Sequence, residues 1–210
     1  MNIEQGLEDH MKEISAANGV CLSLVERFKL ESTLDQLKAD IKCDEMLFWG
    51  IIYGAEKDYY IAKALYYKGY PEFPKRKYYF CSSSNFIFSE LPDIQPHHIP
   101  NFKKFNTYFI GNPDIILEKY VHFRPVENQE KKDKIAMGKA VLDYEFLDNI
   151  ADDPIKDTWS IHVDSTKTIS TLRSLVWPGY FAYCKSNSDQ FGGVYIGYGI
   201  KNIDIPFMQQ

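Results

Sequence analysis

Apolar residues in the first forty positions recur with a helical period. Ile3, Leu7, Met11 and Ile14 follow one another at steps of four, four and three, one stripe of a helix over residues 3–17. Asn18-Gly19 offers that helix a left-handed stop. A second helical stretch, Leu24–Ile41, carries Val25, Phe28, Leu34, Leu37 and Ile41 on one side. Ser32 and Thr33 fall inside it, so it is either one helix or two short ones meeting near Lys29–Ser32. Two consecutive amphipathic helices predict an αα-hairpin laid over a sheet.

Beyond residue 42 the pattern changes to short β-branched and aromatic runs. Met46–Tyr53 and Asp58–Tyr67, separated by the turn Gly54–Lys57, predict a β-hairpin. Ala62, Ala64 and Leu65 would tolerate a helix in the second run, but its flanking aromatics favour a strand. Gly69–Pro74 reads as a loop, and Lys77–Cys81 and Phe86–Leu91 as two further extended runs. Pro92, Pro96 and Pro100 exclude a helix over residues 92–101, because each removes an amide donor and pushes its predecessor to extended geometry. Thr107–Gly111 is a candidate short strand, Asp114–Val121 a brief helix and Val141–Ile150 a further helical spacing. Residues 127–139 are charged with mixed sign and read as a solvated, mobile connection.

The C-terminal stretch Asp157–Met208 again alternates short aromatic runs with turn residues. Trp177-Pro178-Gly179 interrupts an otherwise extended run, Leu172–Tyr183, as a bulge, kink or edge, because proline cannot donate to a ladder. The fold class that follows is α+β: N-terminal helices packed on a mostly antiparallel β-sheet. Residues 1–210 are read as one domain. It has a helical N-terminus (1–42), sheet-forming blocks (43–91 and 157–208) and a charged connection (92–156).

Composition narrows the function classes. The chain has 210 residues, is 45% hydrophobic, and carries a net charge of −5, an ordinary balance for a globular chain. An acidic balance argues against nucleic-acid binding, which needs clustered Lys and Arg. The one basic cluster, Lys75-Arg76-Lys77, reads as a solvated turn. No apolar run approaches the ~20 residues needed to span a bilayer, so no membrane is expected. Residues 1–10 are acidic and polar rather than signal-like, and Cys21, Cys43, Cys81 and Cys184 show no Cys-x-x-Cys pair. Scattered reduced thiols in a cytoplasmic or cytoskeletal setting are expected. Aromatic content is high, with 15 Tyr and 14 Phe, which points to extensive packing, internal or with partners.

No constellation for chemistry emerges. His97-His98 would point to opposite faces of an extended segment, and no Cys or acidic cluster lies nearby at metal-ligand spacing. His10 and His122 are isolated, and His162 alternates with Ile161 and Val163 in a strand, so it is read as facing outward. Asp152-Asp153 precedes Pro154 and reads as a turn. Gly192-Gly193 and Gly197-Tyr198-Gly199 lack the helix that a dinucleotide loop needs. They read instead as a turn over Ser188–Gly193 and as close-packed strand positions. Hence no catalytic, metal or cofactor site is expected, and the protein is read as a non-enzyme without cofactors.

Two blocks carry a more specific likeness. Cys43–Ala64 contains LFWG followed by DYYIA, and Thr158–Met208 contains WSI, LRSLVWPG, VYIGYG and the closing KNIDIPFM. With weaker similarity at Val121–Pro125, these words resemble the radial spoke head protein 9 family of motile cilia. The resemblance implies a structural, non-enzymatic subunit of the axonemal spoke head, helping to pass signals between the central apparatus and the doublet microtubules. It implies as partners the other spoke head subunits, especially those of the 4/6 type, with central apparatus projections contacted indirectly. It implies a location in the ciliary axoneme. Longer members carry an insert with extra β-type runs after a motif like Phe109–Pro113, and here Asp114 follows almost at once. Either one edge of the family's sheet is missing and a partner strand covers it, or the chain serves a spoke subtype with a reduced head. Candidate partner-contact aromatics are Tyr59, Tyr60, Trp177, Tyr180 and Phe207. The alternative reading is a small-ligand or peptide binding module on a β-sheet scaffold.

Overall fold

Gly6 decides where the first helix begins. The computed structural model describes residues 1–69, 73–91, 108–112, 158–202 and 204. In it Ile3–Gln5 form a single 3-10 turn, and Gly6, at φ +80°, breaks the chain before α1 (Leu7–Asn18). The predicted stripe is intact across the break: Ile3, Leu7, Met11 and Ile14 are all buried. Each such side chain contributes about 1.5–3 kcal/mol when removed from water. Gly19 ends α1 in the left-handed conformation, its amide donating to the Ser15 carbonyl.

α2 (Leu24–Ile41) is one continuous helix. Ser23 and Glu26 form a reciprocal capping box at its start. The Thr33 hydroxyl donates back to the Lys29 carbonyl at 2.8 Å, so the polar pair inside the helix is accommodated without a break. The packed face differs from the expected one. Leu30 and Leu34 are fully buried, with Leu37 and Ile41 partly buried beside them, whereas Val25 and Phe28 are 62% and 72% exposed. Phe28 precedes Leu30 by two positions, about 200° around the axis, so both cannot face the sheet. Glu31 on α2 accepts the Leu7 amide at 2.8 Å and ties the two helices together.

Among the described residues eight strands form one sheet: β1 (Glu45–Ile52), β2 (Tyr59–Tyr66), β3 (Lys75–Ser82), β4 (Ser89–Glu90), β5 (Trp159–Val163), β6 (Ile169–Ser174), β7 (Tyr180–Lys185) and β8 (Phe191–Gly197). Their order is β4-β3-β2-β1-β8-β7-β6-β5. Two antiparallel meanders meet at the centre, where β1 runs parallel to β8. The sheet is thus mostly antiparallel, as expected for an α+β chain with its helices on one face.

Several local readings change. Lys75-Arg76-Lys77 is not a turn but the first three residues of β3, pairing with β2. Of the run Phe86–Leu91 only Ser89–Glu90 pair, because Phe86 sits at φ +55° and turns the chain. Trp177-Pro178-Gly179 is not a kink in one strand but the turn joining β6 to β7, closed by the Tyr180 amide on the Trp177 carbonyl at 3.0 Å. Gly192 and Gly193 belong to β8, so the preceding turn ends earlier than Ser188–Gly193. Tyr108–Ile110 are not a strand, although Ala55 and Glu56 donate to the carbonyls of Phe109 and Ile110. The readings at 92–101, His97-His98, Asp114–Val121, His122, 127–139, Val141–Ile150, Asp152-Asp153 and Phe207 lie outside the described residues.

Glycine at 50 is what lets the two meanders meet. Its φ is +154°, β1 has a register shift between Phe48 and Gly50, and a Cβ there would fall on the Tyr195 backbone. The core divides by face. On the helix side Met11, Leu34, Phe48, Tyr60, Phe181 and Val194 pack together. On the other side Ile52, Tyr59, Ile61, Phe80, Trp177 and Tyr195 form a second cluster.

Candidate interaction surface

The aromatics singled out from the sequence are mainly interior. Tyr59 is buried, and its hydroxyl accepts the Gly111 amide at 2.7 Å; burial pushes its pKa up to about 12. Tyr60 is buried too, donates to Glu26 Oε1 at 2.7 Å and stacks on Phe86 at 5.3 Å. Burial first, and the Glu26 carboxylate second, raise the Tyr60 pKa. For Glu26, burial works against the charge, but the bonds from Ser23 and Tyr60 outweigh it and lower the pKa. Trp177 is buried, its backbone amide donating to Ser174 Oγ at 3.0 Å, with the Lys201 ammonium over its ring at 5.7 Å. Tyr195 is fully buried and its hydroxyl accepts the Gly199 amide. Tyr180 is half-buried, edge-on to Trp159 at 5.8 Å. Tyr59, Tyr60 and Trp177 therefore hold the fold together, and a partner meeting the folded chain meets other aromatics first.

Those other side chains lie in three places. At the centre, Tyr53, Tyr198 and Tyr108 form a chain of ring contacts, at 5.3 Å and 6.4 Å, with Tyr108 and Tyr198 exposed. On α2, Leu24, Val25 and Phe28 project into solvent. On the C-terminal meander, Ile161, Val163 and Phe191 are exposed. Register places Trp159, Ile161 and Val163 opposite Ser174, Leu172 and Ser170, so these residues share the face away from the helices. Sequence reading missed them because alternation shows which residues share a face, not whether anything covers it. His162 is exposed as expected, yet Ile161 and Val163 are exposed as well, since neither face of β5 is covered among the described residues.

His10 was the least informative histidine in the sequence and is the most engaged in the structure. It is buried against Gly192, with Nδ1 2.6 Å from the Tyr183 hydroxyl. Burial first, then the nearby N-terminal amine, lower its pKa. That amine donates to the carbonyls of Phe48 and Gly193, one in each meander. Among the described residues no group of three or more His, Cys, Asp or Glu is placed to hold a metal ion. No described helix is long and apolar enough to cross a membrane. All four cysteines are free, Cys43 and Cys81 buried and Cys21 and Cys184 exposed.

Fold and surface together define an α+β protein whose distinguishing features are packed and exposed aromatics. The chain belongs to the radial spokehead-like protein family, whose model matches residues 3–74 and 127–210. It is 26% identical over 269 residues to the radial spoke head protein 9 homolog of Danio rerio, covering 93% of this chain and 96% of the relative. The human radial spoke head protein 9 homolog is 28% identical over 269 residues, with the same shares covered. The Mus musculus homolog is 37% identical over 94 residues, which cover 44% of this chain and 33% of the relative. A match of 269 residues exceeds the 210 residues of this chain, so the fish and human relatives carry internal residues that it lacks.

Proposed function

We propose that this chain is a non-enzymatic structural subunit of the radial spoke head in motile cilia and flagella. The observation that carries the reading is the family match over both helices, β1, β2 and the whole C-terminal meander, together with relatives named as radial spoke head proteins across their length. In this reading the protein sits in the ciliary axoneme. It scaffolds the spoke head with other head subunits, foremost one of the 4/6 type, and helps convey signals between the central apparatus and the doublets that shape beating. Exposed aromatic and aliphatic side chains on an open sheet face (Ile161, Val163 and Phe191) support an assembly role over a small-ligand module, which would enclose its ligand. Fractionation of motile cilia tests it. The protein is expected to remain with detergent-extracted axonemes and to be released together with spoke components. Recovery in the soluble fraction alone would overturn the reading.

A further inference from the structure

We infer that β5 is a self-pairing edge through which two copies of this chain join into one continuous sheet. The inference rests on the geometry of β5 and not on the spoke reading. The Asp164 amide donates to the Ile169 carbonyl and the Leu175 amide to the Thr158 carbonyl. In an antiparallel ladder, bonded and non-bonded positions alternate along the strand. Thr158, Ser160, His162 and Asp164 thus direct their backbone groups at β6, and Trp159, Ile161 and Val163 direct theirs outward. Among the described residues only β6 pairs with β5. Three amides and three carbonyls stand ready at the edge, and extended backbone is what satisfies such a row.

The side chains specify the occupant. Ile161 and Val163 are 71% and 47% exposed on the face away from the helices, while Ser160 and His162 stand on the helix side. A complementary strand must show the same alternation, apolar on one face and polar on the other. β5 itself meets that demand. In an antiparallel pair about a twofold axis normal to the sheet, Ile161 faces Ile161 of the second copy, and Val163 faces Trp159. The outward-bonding positions then meet outward-bonding positions. Ser160 lies beside His162 and Thr158 beside Asp164, so no like charges oppose. β5 also lacks the devices that blunt edges: it has no proline, no lysine and no bulge. The other edge, β4, has only two residues and carries Glu90 paired to Lys77. Five paired residues make a small contact, so association is expected to be concentration-dependent.

Sedimentation of the full chain across a wide micromolar range tests the inference, with amide exchange read at the same concentrations. The mass should rise to twice that of the chain, and exchange at Trp159, Ile161 and Val163 should slow by about tenfold as it does so. Ile161→Pro removes an outward amide and no bond to β6; Ile161→Lys changes an exposed side chain alone. Both should abolish the rise in mass while leaving circular dichroism unchanged, and the lysine variant decides the matter if the proline variant does not fold. A monomer at every concentration overturns the inference, as does a dimer that survives Ile161→Lys. Edge amides protected independently of concentration overturn it too, since a segment of the same chain would then cover the edge. So does an edge occupied only by a strand of another protein.

Discussion

Gly50 carries the tightest steric requirement in the sheet. It sits in β1 at φ +154° where the backbone of Tyr195 leaves no space for a Cβ. Gly50→Ala should therefore cost about 3 kcal/mol, from the clash and the strained backbone together, read as a lowered urea midpoint. A second residue-scale consequence is pH-dependent stability. Burial pushes the N-terminal amine from 8.0 down to about 5, with Lys63 adding to the effect and Glu45 opposing it. His10 is lowered from 6.5 in the same sense. Both are bases held neutral in the fold, so between about pH 5 and 8 the unfolded chain binds more protons than the folded one. Stability should rise with pH through that window and be lost as pH falls, by an amount on the order of a few kcal/mol. Urea midpoints at either end of the window check the sign, and His10→Gln should flatten part of the slope. Asp164 behaves oppositely: bonds from Thr166 and Thr168 bring its carboxyl down to about 2, but it lies in a surface turn, where solvent screens it, and adds little.

At the scale of elements, α2 separates what sequence shows from what packing decides. Leu34→Ala should cost about 2–5 kcal/mol, because it opens a cavity against β1, whereas Phe28→Ala should stay within about 0.5 kcal/mol in the isolated chain. Ser23→Ala should cost about 1 kcal/mol by removing the capping box. Thermal melts of the three variants rank them. The same helix shows how far the sequence was legible. Periodicity located α2 as it stands and α1 apart from its start, which Gly6 moves from residue 3 to Leu7, and β-branched and aromatic runs located the β1–β2 hairpin with its turn at residues 53–58. Which arc of α2 is buried was not legible, since Val25, Phe28, Leu34 and Ile41 offer more apolar positions than one face can hold. The turn at Trp177–Gly179 was misread for a related reason. Tyr180–Tyr183 continues the apolar, strand-like character of Leu172–Val176, so only Pro178 and Gly179, at φ +109°, marked the reversal. The candidate contact aromatics were the least legible feature: Tyr59, Tyr60 and Trp177 have the composition of an interface and the burial of a core, and sequence cannot separate the two.

For the whole molecule, the question is whether two meanders joined by one short parallel pair behave as one unit. Only Gly50, Ile51 and Ile52 pair with β8, opposite Tyr195, Ile196 and Gly197. Taken alone, such a joint would let β1–β4 and β5–β8 unfold separately. Two further features oppose that. The N-terminal amine bonds to Phe48 in one meander and Gly193 in the other. The helix-side core is also continuous across the joint, with Met46 and Phe48 in the same cluster as Phe181, Tyr183 and Val194. α1 lies over β7 while α2 lies over β1, and Glu31 binds the first amide of α1, so the helical hairpin clamps both halves. Unfolding in urea should accordingly be a single transition. Of the 3 tryptophans, Trp159 lies in the C-terminal meander with its ring against Tyr180 of the same half, whereas Trp177 packs on residues of both meanders; with Trp49 and Trp177 replaced by Phe, Trp159 fluorescence reports the C-terminal half, while helical ellipticity reports α1 and α2. The two midpoints should coincide. Trp159 fluorescence changing at a lower urea concentration than the helices would show that the parallel joint, and not the helical clamp, sets the cooperativity of the fold.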